Sequence, residues 1–249
     1  MTWEEVARTD REIVAIVPFG ALEQHSFHLP MGTDSILIDA VARRLEKQIP
    51  DQVCVLPVTW LGCSRHHMDF AGSLTATVDT FLAVGEEIVS SMAEHGFRRF
   101  ILLNGHGGNV NKISLMAENL SYQHGAKLKV IGITYWHLIT EEIKAIRETP
   151  LGGMGHACEL ETSLLLASHP ELVRLGRMEA DGHFCDSEFD RKDMFAPGAV
   201  TVTRQFKDLS RHGGIGDPTS ASREKGERIF DAVVGKLRQV VEEIQAGVL

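Results

Sequence analysis

Between residues 20 and 35 the sequence reads GALEQHSFHLPMGTDS, which gathers Glu23, His25, His28 and Asp34 into a stretch built as a loop. Glu23 and His25 are one residue apart, so in an extended segment both side chains point to the same side. Asp34 stands where a helical pattern begins, and backbone donors and the helix dipole orient a carboxylate there. A second concentration is NGHGGN, residues 104–109, whose glycines let the backbone turn tightly and hold His106 up from a strand end. A third is GHACELET, residues 155–162, in which His156 and Glu159 are three apart, the spacing of one helix face. His25, His106, Glu23, Asp34 and Glu159 thus offer two imidazoles and three carboxylates. That donor set suits Zn²⁺ or Mn²⁺ better than an all-oxygen Mg²⁺ site or a thiolate-rich structural zinc. With Asp34 bridging, five donors serve two divalent ions and leave positions for water, and paired ions generate hydroxide at neutral pH. His156 is then left unligated as an acid/base.

Taken singly, each of these residues has an ordinary reading. A lone loop histidine is commonly solvated or satisfied in a core, and an aspartate at a helix start is commonly a cap. NGHGGN would also serve as an anion nest. His66 and His67 divide evenly between surface and substrate contact. Glu161, two positions from Glu159, is expected to point elsewhere on a helix and to hold a neighbouring loop or ligand. Cys158 is expected to pack. The joint case rests on compatible donors arriving from three separate strand ends.

The elements that must position them alternate along the chain. Residues 12–20 and 52–58 read as buried strands, 34–48 as a helix, and 77–96 as a helix closed by glycine. Residues 98–104 form a strand running into the glycine turn, 110–125 a helix, and 127–136 a strand followed by a helical stretch to about 148. Residues 157–168 read as a helix ended by Pro170, 199–203 as a late strand, and 220–245 as a long amphipathic helix. Strands alternating with helices predict an α/β fold with a mostly parallel sheet covered on both faces. In such sheets ligands bind beyond the carboxyl ends of the strands. Residues 176–197 are polar and irregular, as a long surface loop would be.

The 249 residues carry no repeat and no linker, so residues 1–249 are expected to form one domain. A net charge of −9 excludes the basic stripe of a nucleic-acid binder and favours a small neutral or cationic substrate as partner. No apolar run reaches the length of a membrane span, and the charged N-terminal segment lacks the apolar core of a signal peptide. Cys54, Cys63, Cys158 and Cys185 include no C-x-x-C pair, which fits reduced thiols in the cytoplasm.

The segments PFGALEQHSFHLPMGTDSIL, LLNGHGGN, GHACELETSLLL and GDPTSASREKGERI resemble, in order, those of the creatininase (creatinine amidohydrolase) family, in its glycine-rich Asn-Gly-His-Gly-Gly-Asn branch. The resemblance implies a three-layer α-β-α sandwich, a binuclear metal centre and a homo-oligomer, often a hexamer. It also implies Glu23 and His106 on one ion, His25 on the other, Asp34 as the bridge and His156 as the catalytic histidine. Creatininases have a glutamate ligand where this chain has Gly108, and Glu159 is expected to replace it. They also have a tryptophan just before the catalytic histidine, where this chain reads PLGGMGHA, which argues against creatinine as the substrate. The expected activity is hydrolysis of a C–N bond in a small, cyclic or open amide, using two divalent ions, zinc first and manganese or iron as alternatives. Competing expectations are a C–C hydrolase of a cyclic polyol ketone, a peptidase of cofactor maturation, a two-metal phosphoesterase with Arg65 on phosphate, and a non-enzymatic metal-bound sensor. Residues around His66, Trp136 and 184–195 are expected to set the substrate.

Overall fold

The computed structural model describes residues 1–181 and 187–249. Phe184 and Cys185, both singled out in the sequence, lie outside the described residues. Four parallel strands form the central sheet in the order β2-β1-β3-β4: β1 Val14–Phe19, β2 Val53–Val55, β3 Arg99–Asn104 and β4 Lys129–Thr134. The register is continuous, Val14 facing Val53 and Arg99, and Arg99 facing Lys129. Phe19, Asn104 and Thr134 therefore end their strands side by side, and the chemistry follows along that edge.

Alternation along each strand builds the two cores. Val14, Ile16, Ile101 and Leu103 face helices α2 (Thr33–Gln48), α5 (Glu159–Ser168) and α6 (Arg223–Ala246). Ala15, Val17, Phe19, Phe100 and Leu102 face α3 (Val78–Glu94) and α4 (Val110–His124). The result is the expected α-β-α layering. A short N-terminal helix, α1 (Trp3–Arg8), buries no residue. A two-stranded antiparallel ribbon pairs Met154–His156 with Ile215–Gly216 beside the sheet.

Several expected elements differ. Residues 199–203 are not a strand; Val200 N–H donates to the Phe189 carbonyl without a ladder forming, and Val200, Thr201 and Val202 line the cavity described below. The stretch after β4 is a run of short 3₁₀ turns, not a helix. Helix α2 begins at Thr33 after Gly32, so Asp34 lies in the first turn and does not cap. Helix α5 begins at Glu159, two residues later than expected, because Ala157 adopts a left-handed φ of 51°.

Helices α5 and α6 cross closely, and Gly226 is the reason they can. A β-carbon there would lie 2.0 Å from the Ser163 carbonyl oxygen and 2.7 Å from the Ala167 β-carbon. Gly226→Ala is expected to cost roughly 1–3 kcal/mol by overpacking, read as a lower midpoint in chemical denaturation. An unchanged midpoint would mean the crossing can open without penalty.

Candidate metal centre

The loop after β1 carries Glu23, His25 and Asp34 to the strand edge, and the turn after β3 carries His106 to the same place. All four side chains are almost fully buried. Asp34 sits between the two imidazoles, its Oδ1 3.2 Å from His25 Nε2 and its Oδ2 2.9 Å from His106 Nδ1. Glu23 Oε1 lies 3.4 Å from the same His106 nitrogen. His156 ends the strand Met154–His156, its Nδ1 3.8 Å from Glu23 Oε1.

Backbone carbonyls fix how each imidazole is presented. His25 Nδ1 lies 3.1 Å from the Glu23 carbonyl, and His106 Nε2 lies 3.3 Å from the Cys63 carbonyl. Each of those nitrogens must donate, so the other nitrogen of each ring aims a lone pair at the carboxylates. A lone pair facing a carboxylate oxygen at about 3 Å is repulsive unless a proton or a metal cation stands between them. Glu23 Oε2 and Asp34 Oδ2 are moreover buried without an aligned hydrogen bond among the described residues. The donors therefore fit divalent cations, through the arrangement in which ligating histidines are oriented by outer carbonyls.

The electrostatics agree. Burial would lower both histidines, but Asp34 beside His25 outweighs it, and Glu23 and Asp34 raise His106 to about 9. Burial would raise Asp34, yet His25 and His106 hold it below the usual carboxylate range, while burial carries Glu23 up to about 7. These are groups that take up positive charge wherever they can find it.

Glu159 is a correction. Its carboxylate accepts from Thr149 Oγ1 at 2.6 Å, from the Glu148 and Thr149 backbone N–H groups, and from Lys225 Nζ at 2.6 Å. It lies in none of the metal-capable groups of the described residues. Its place in the cluster is taken by Glu161, whose Oε1 is 3.7 Å from His25 Nε2 and which forms such a group with His25 and His156. The reason is the left-handed Ala157: His156 belongs to a strand, so counting three residues along a helix from it does not apply. The other oxygen of Glu161 accepts from the Cys158 backbone N–H at 3.3 Å, at the start of α5. Among the described residues, the non-glycine residues with positive φ are Ser26 and Ala157, each one step beyond a histidine of the site. Such backbone costs about 1–3 kcal/mol and persists where surrounding structure enforces it.

Two further residues join the site: His67, divided in the sequence between surface and substrate contact, and Gln24, which the sequence did not mark. His67 is fully buried, with Nε2 3.1 Å from Glu23 Oε1. Gln24 joins it to His156: the Gln24 amide nitrogen donates to His67 Nδ1 at 2.7 Å and to the Gly213 carbonyl at 2.9 Å. The Gln24 backbone carbonyl accepts from His156 Nε2 at 2.7 Å. This network assigns the proton of His156 to Nε2 and leaves Nδ1 bare towards the centre. Burial and the nearby His25 push His156 down to about 3, so it is neutral at neutral pH. Burial also holds His66 at about 3 and His67 below the ordinary range. His28 is directed away, its Nε2 3.0 Å from Thr162 Oγ1. A Gln between Glu23 and His25 was the available signal, but its partners lie 43 to 189 residues away.

The centre opens into a cavity of about 430 Å³, walled by Trp136, Met194, Val202 and Phe206. That is room for a small organic substrate.

Comparison with known proteins gives a family match, creatininase (creatinine amidohydrolase), over residues 1–241. Creatinine amidohydrolase of Pseudomonas putida is 30% identical, covering 98% of this chain and 95% of its own length. Mycofactocin precursor peptide peptidase of Mycobacterium tuberculosis is 31% identical over 88% of this chain and 80% of its own. A solved structure described as manganese creatininase superposes with a TM-score of 0.80 at 28% identity, covering 98% of this chain and 96% of that one. The match spans the loop after β1, the turn after β3 and the start of α5, the segments that bring the donors together, and the chain belongs to the creatininase family of metal-dependent hydrolases acting on amide C–N bonds.

Proposed function

We propose that this chain hydrolyses a C–N bond of a small amide other than creatinine, with Glu23 and His106 holding one divalent ion, His25 and Glu161 a second, and Asp34 between them. The observation that carries this is the pair of bare imidazole nitrogens at 3.2 and 2.9 Å from the two oxygens of Asp34. Divalent ions there supply Lewis-acid polarisation of the carbonyl and activation of water at neutral pH. Zinc suits the mixed nitrogen and oxygen donors best, with manganese or iron as alternatives.

The chain's own residues do the rest. His156, neutral and bare at Nδ1, accepts a proton from the attacking water and passes it to the leaving nitrogen. Gln24 keeps that nitrogen facing inward through its carbonyl. Trp136 and Phe206 narrow the approach and limit water. His156→Ala is expected to retain its metal and lose roughly 10²–10⁴-fold in turnover. Metal analysis beside steady-state rates checks it, and equal rates in both proteins would sink the assignment.

Comparable identity to a creatinine amidohydrolase and to a peptide peptidase favours a second substrate reading, a peptide-like amide. Metal analysis combined with a hydrolysis screen of lactams, formamides and short peptides decides between them. About two ions per chain and turnover on one class are expected; a metal-loaded protein inert on all three would overturn the proposal. We further propose a homo-oligomer, a hexamer being the expected size, and a cytoplasmic location, which the buried free thiols of Cys54, Cys63 and Cys158 support. No helix among the described residues is long and apolar enough to cross a membrane.

A further inference from the structure

A second cavity, of about 870 Å³, adjoins the one over the centre. The two share His66, Gly107, Lys192, Val202 and Phe206 in their walls. His66 stands at the boundary of the two, its ring nearly parallel to that of His106 with centroids 5.9 Å apart.

Among the described residues, the groove is lined by Arg65, Lys112, Lys192 and Arg204 and by no aspartate or glutamate. That is a local inversion in a protein of net charge −9. Asp190 answers two of the cations, Lys192 at 2.8 Å and Arg204 at 2.9 Å, so one carboxylate faces two positive charges. Arg65 and Lys112 are in no ion pair among the described residues; Arg65 is exposed and Lys112 half-buried. The start of α4 opens onto the same wall through Gly107 and Gly108. Its first turn has no side-chain cap, because the Asn109 amide is committed to the Gly20 carbonyl and the Cys63 N–H. Backbone donors and a positive helix end thus add to the four side chains. Arg191 brings a further cation into the first cavity, its Nε buried and unpartnered among the described residues.

We infer that this groove binds an anionic group, carboxylate or phosphate, carried by the substrate at some distance from the scissile amide. The inference rests on the amidohydrolase reading of the centre only for the word substrate; the groove's preference for anions stands on its own residues. The acid group docks against Arg65 and Lys112, and the intervening chain passes His66 and Phe206. A compact neutral ring leaves the groove unused, which explains a cavity that extends well beyond the centre.

The test uses zinc-loaded full-length protein and a matched series: succinamate, glutaramate and adipamate against succinamide, glutaramide and adipamide. Calorimetric titration reads binding and steady-state kinetics read hydrolysis. At least one acid is expected to bind about tenfold more tightly than its neutral diamide, with the preference shrinking in high salt. In the double variant Arg65→Ala, Lys112→Ala the ratio falls towards one, while metal content and turnover of the neutral amides are unchanged. Competition by inorganic phosphate at lower concentration than by acetate points to phosphate as the natural group, and the reverse to carboxylate. Equal binding of acids and diamides across the series, or a preference that survives the double variant, overturns the inference. Acid-selective binding without turnover of any amide leaves the groove standing and sinks the amidohydrolase reading. Turnover without acid preference does the opposite.

Discussion

Asp34→Ala is expected to lose hydrolysis by roughly 10³-fold or more and to shed both ions. Loss of a residue that merely orients a ligand costs about 10–100-fold in metal affinity or activity. Asp34 lies closer in, with one oxygen 3.2 Å from His25 and the other 2.9 Å from His106, and it is 3% exposed. Among the described residues no other carboxylate is paired with both imidazoles. Without it His25 keeps Glu161 and His106 keeps Glu23, two half-sites with nothing between them. The measurement is metal content after dialysis, together with the rise in Tm that added zinc produces. In the parent protein a ligand that binds only the folded state raises Tm by mass action; in the variant that rise disappears. Asp34→Asn separates charge from shape, since it fills the same space with one bridging oxygen. An Asp34→Ala protein that retained both ions and its turnover would place the centre elsewhere in the molecule.

The convergence of the first four donors was legible because local sequence determines it. Glu23, His25 and Asp34 lie in one loop after a strand, and His106 follows another, so alternation of strands and helices was enough to bring them to one edge. Glu161 was misread for a definite reason. Its assignment depended on where α5 begins, and that depends on Ala157 holding a left-handed φ, which an alanine does not advertise. Glu159 looked better by spacing and is in fact tied to Thr149 and Lys225. His67 and Gln24 carry ordinary local sequence; what makes them part of the site is contact with Glu23, His156 and Gly213, which only the tertiary fold supplies. The same limit explains residues 199–203. Their β-branched pattern predicts a strand, but a strand requires a continuous ladder, and the segment makes a single backbone bond to Phe189 and lies over the cavities.

Glu159→Ala is expected to leave metal content unchanged and to destabilise the fold by roughly 3–5 kcal/mol, a fall in Tm of ~6–20 °C. The Glu159 side chain is fully buried, and Lys225 is 7% exposed. Removing the carboxylate strands the Lys225 ammonium with the exposed Glu148 carboxylate and the Ser220 carbonyl as its remaining partners. It also strands the Glu148 and Thr149 backbone N–H groups, whose acceptor it is. Breaking one side of a buried pair costs far more than the pair contributes, and the solvent-exposed Glu148 carboxylate replaces only part of the buried counter-charge. The pH dependence has a definite sign. Burial would raise the Glu159 carboxyl, but Lys225, Thr149 and the two N–H groups outweigh burial and hold it below its ordinary 4.5. A carboxyl lowered on folding stabilises the protein above its unfolded pKa and loses that contribution as pH falls through the folded value. The parent should therefore weaken steeply in acid below about pH 4.5, and Glu159→Gln should show a flatter acid limb with most of the loss already present at neutral pH. Loss of an ion from Glu159→Gln at undiminished stability would return this glutamate to the metal centre and displace Glu161 from it.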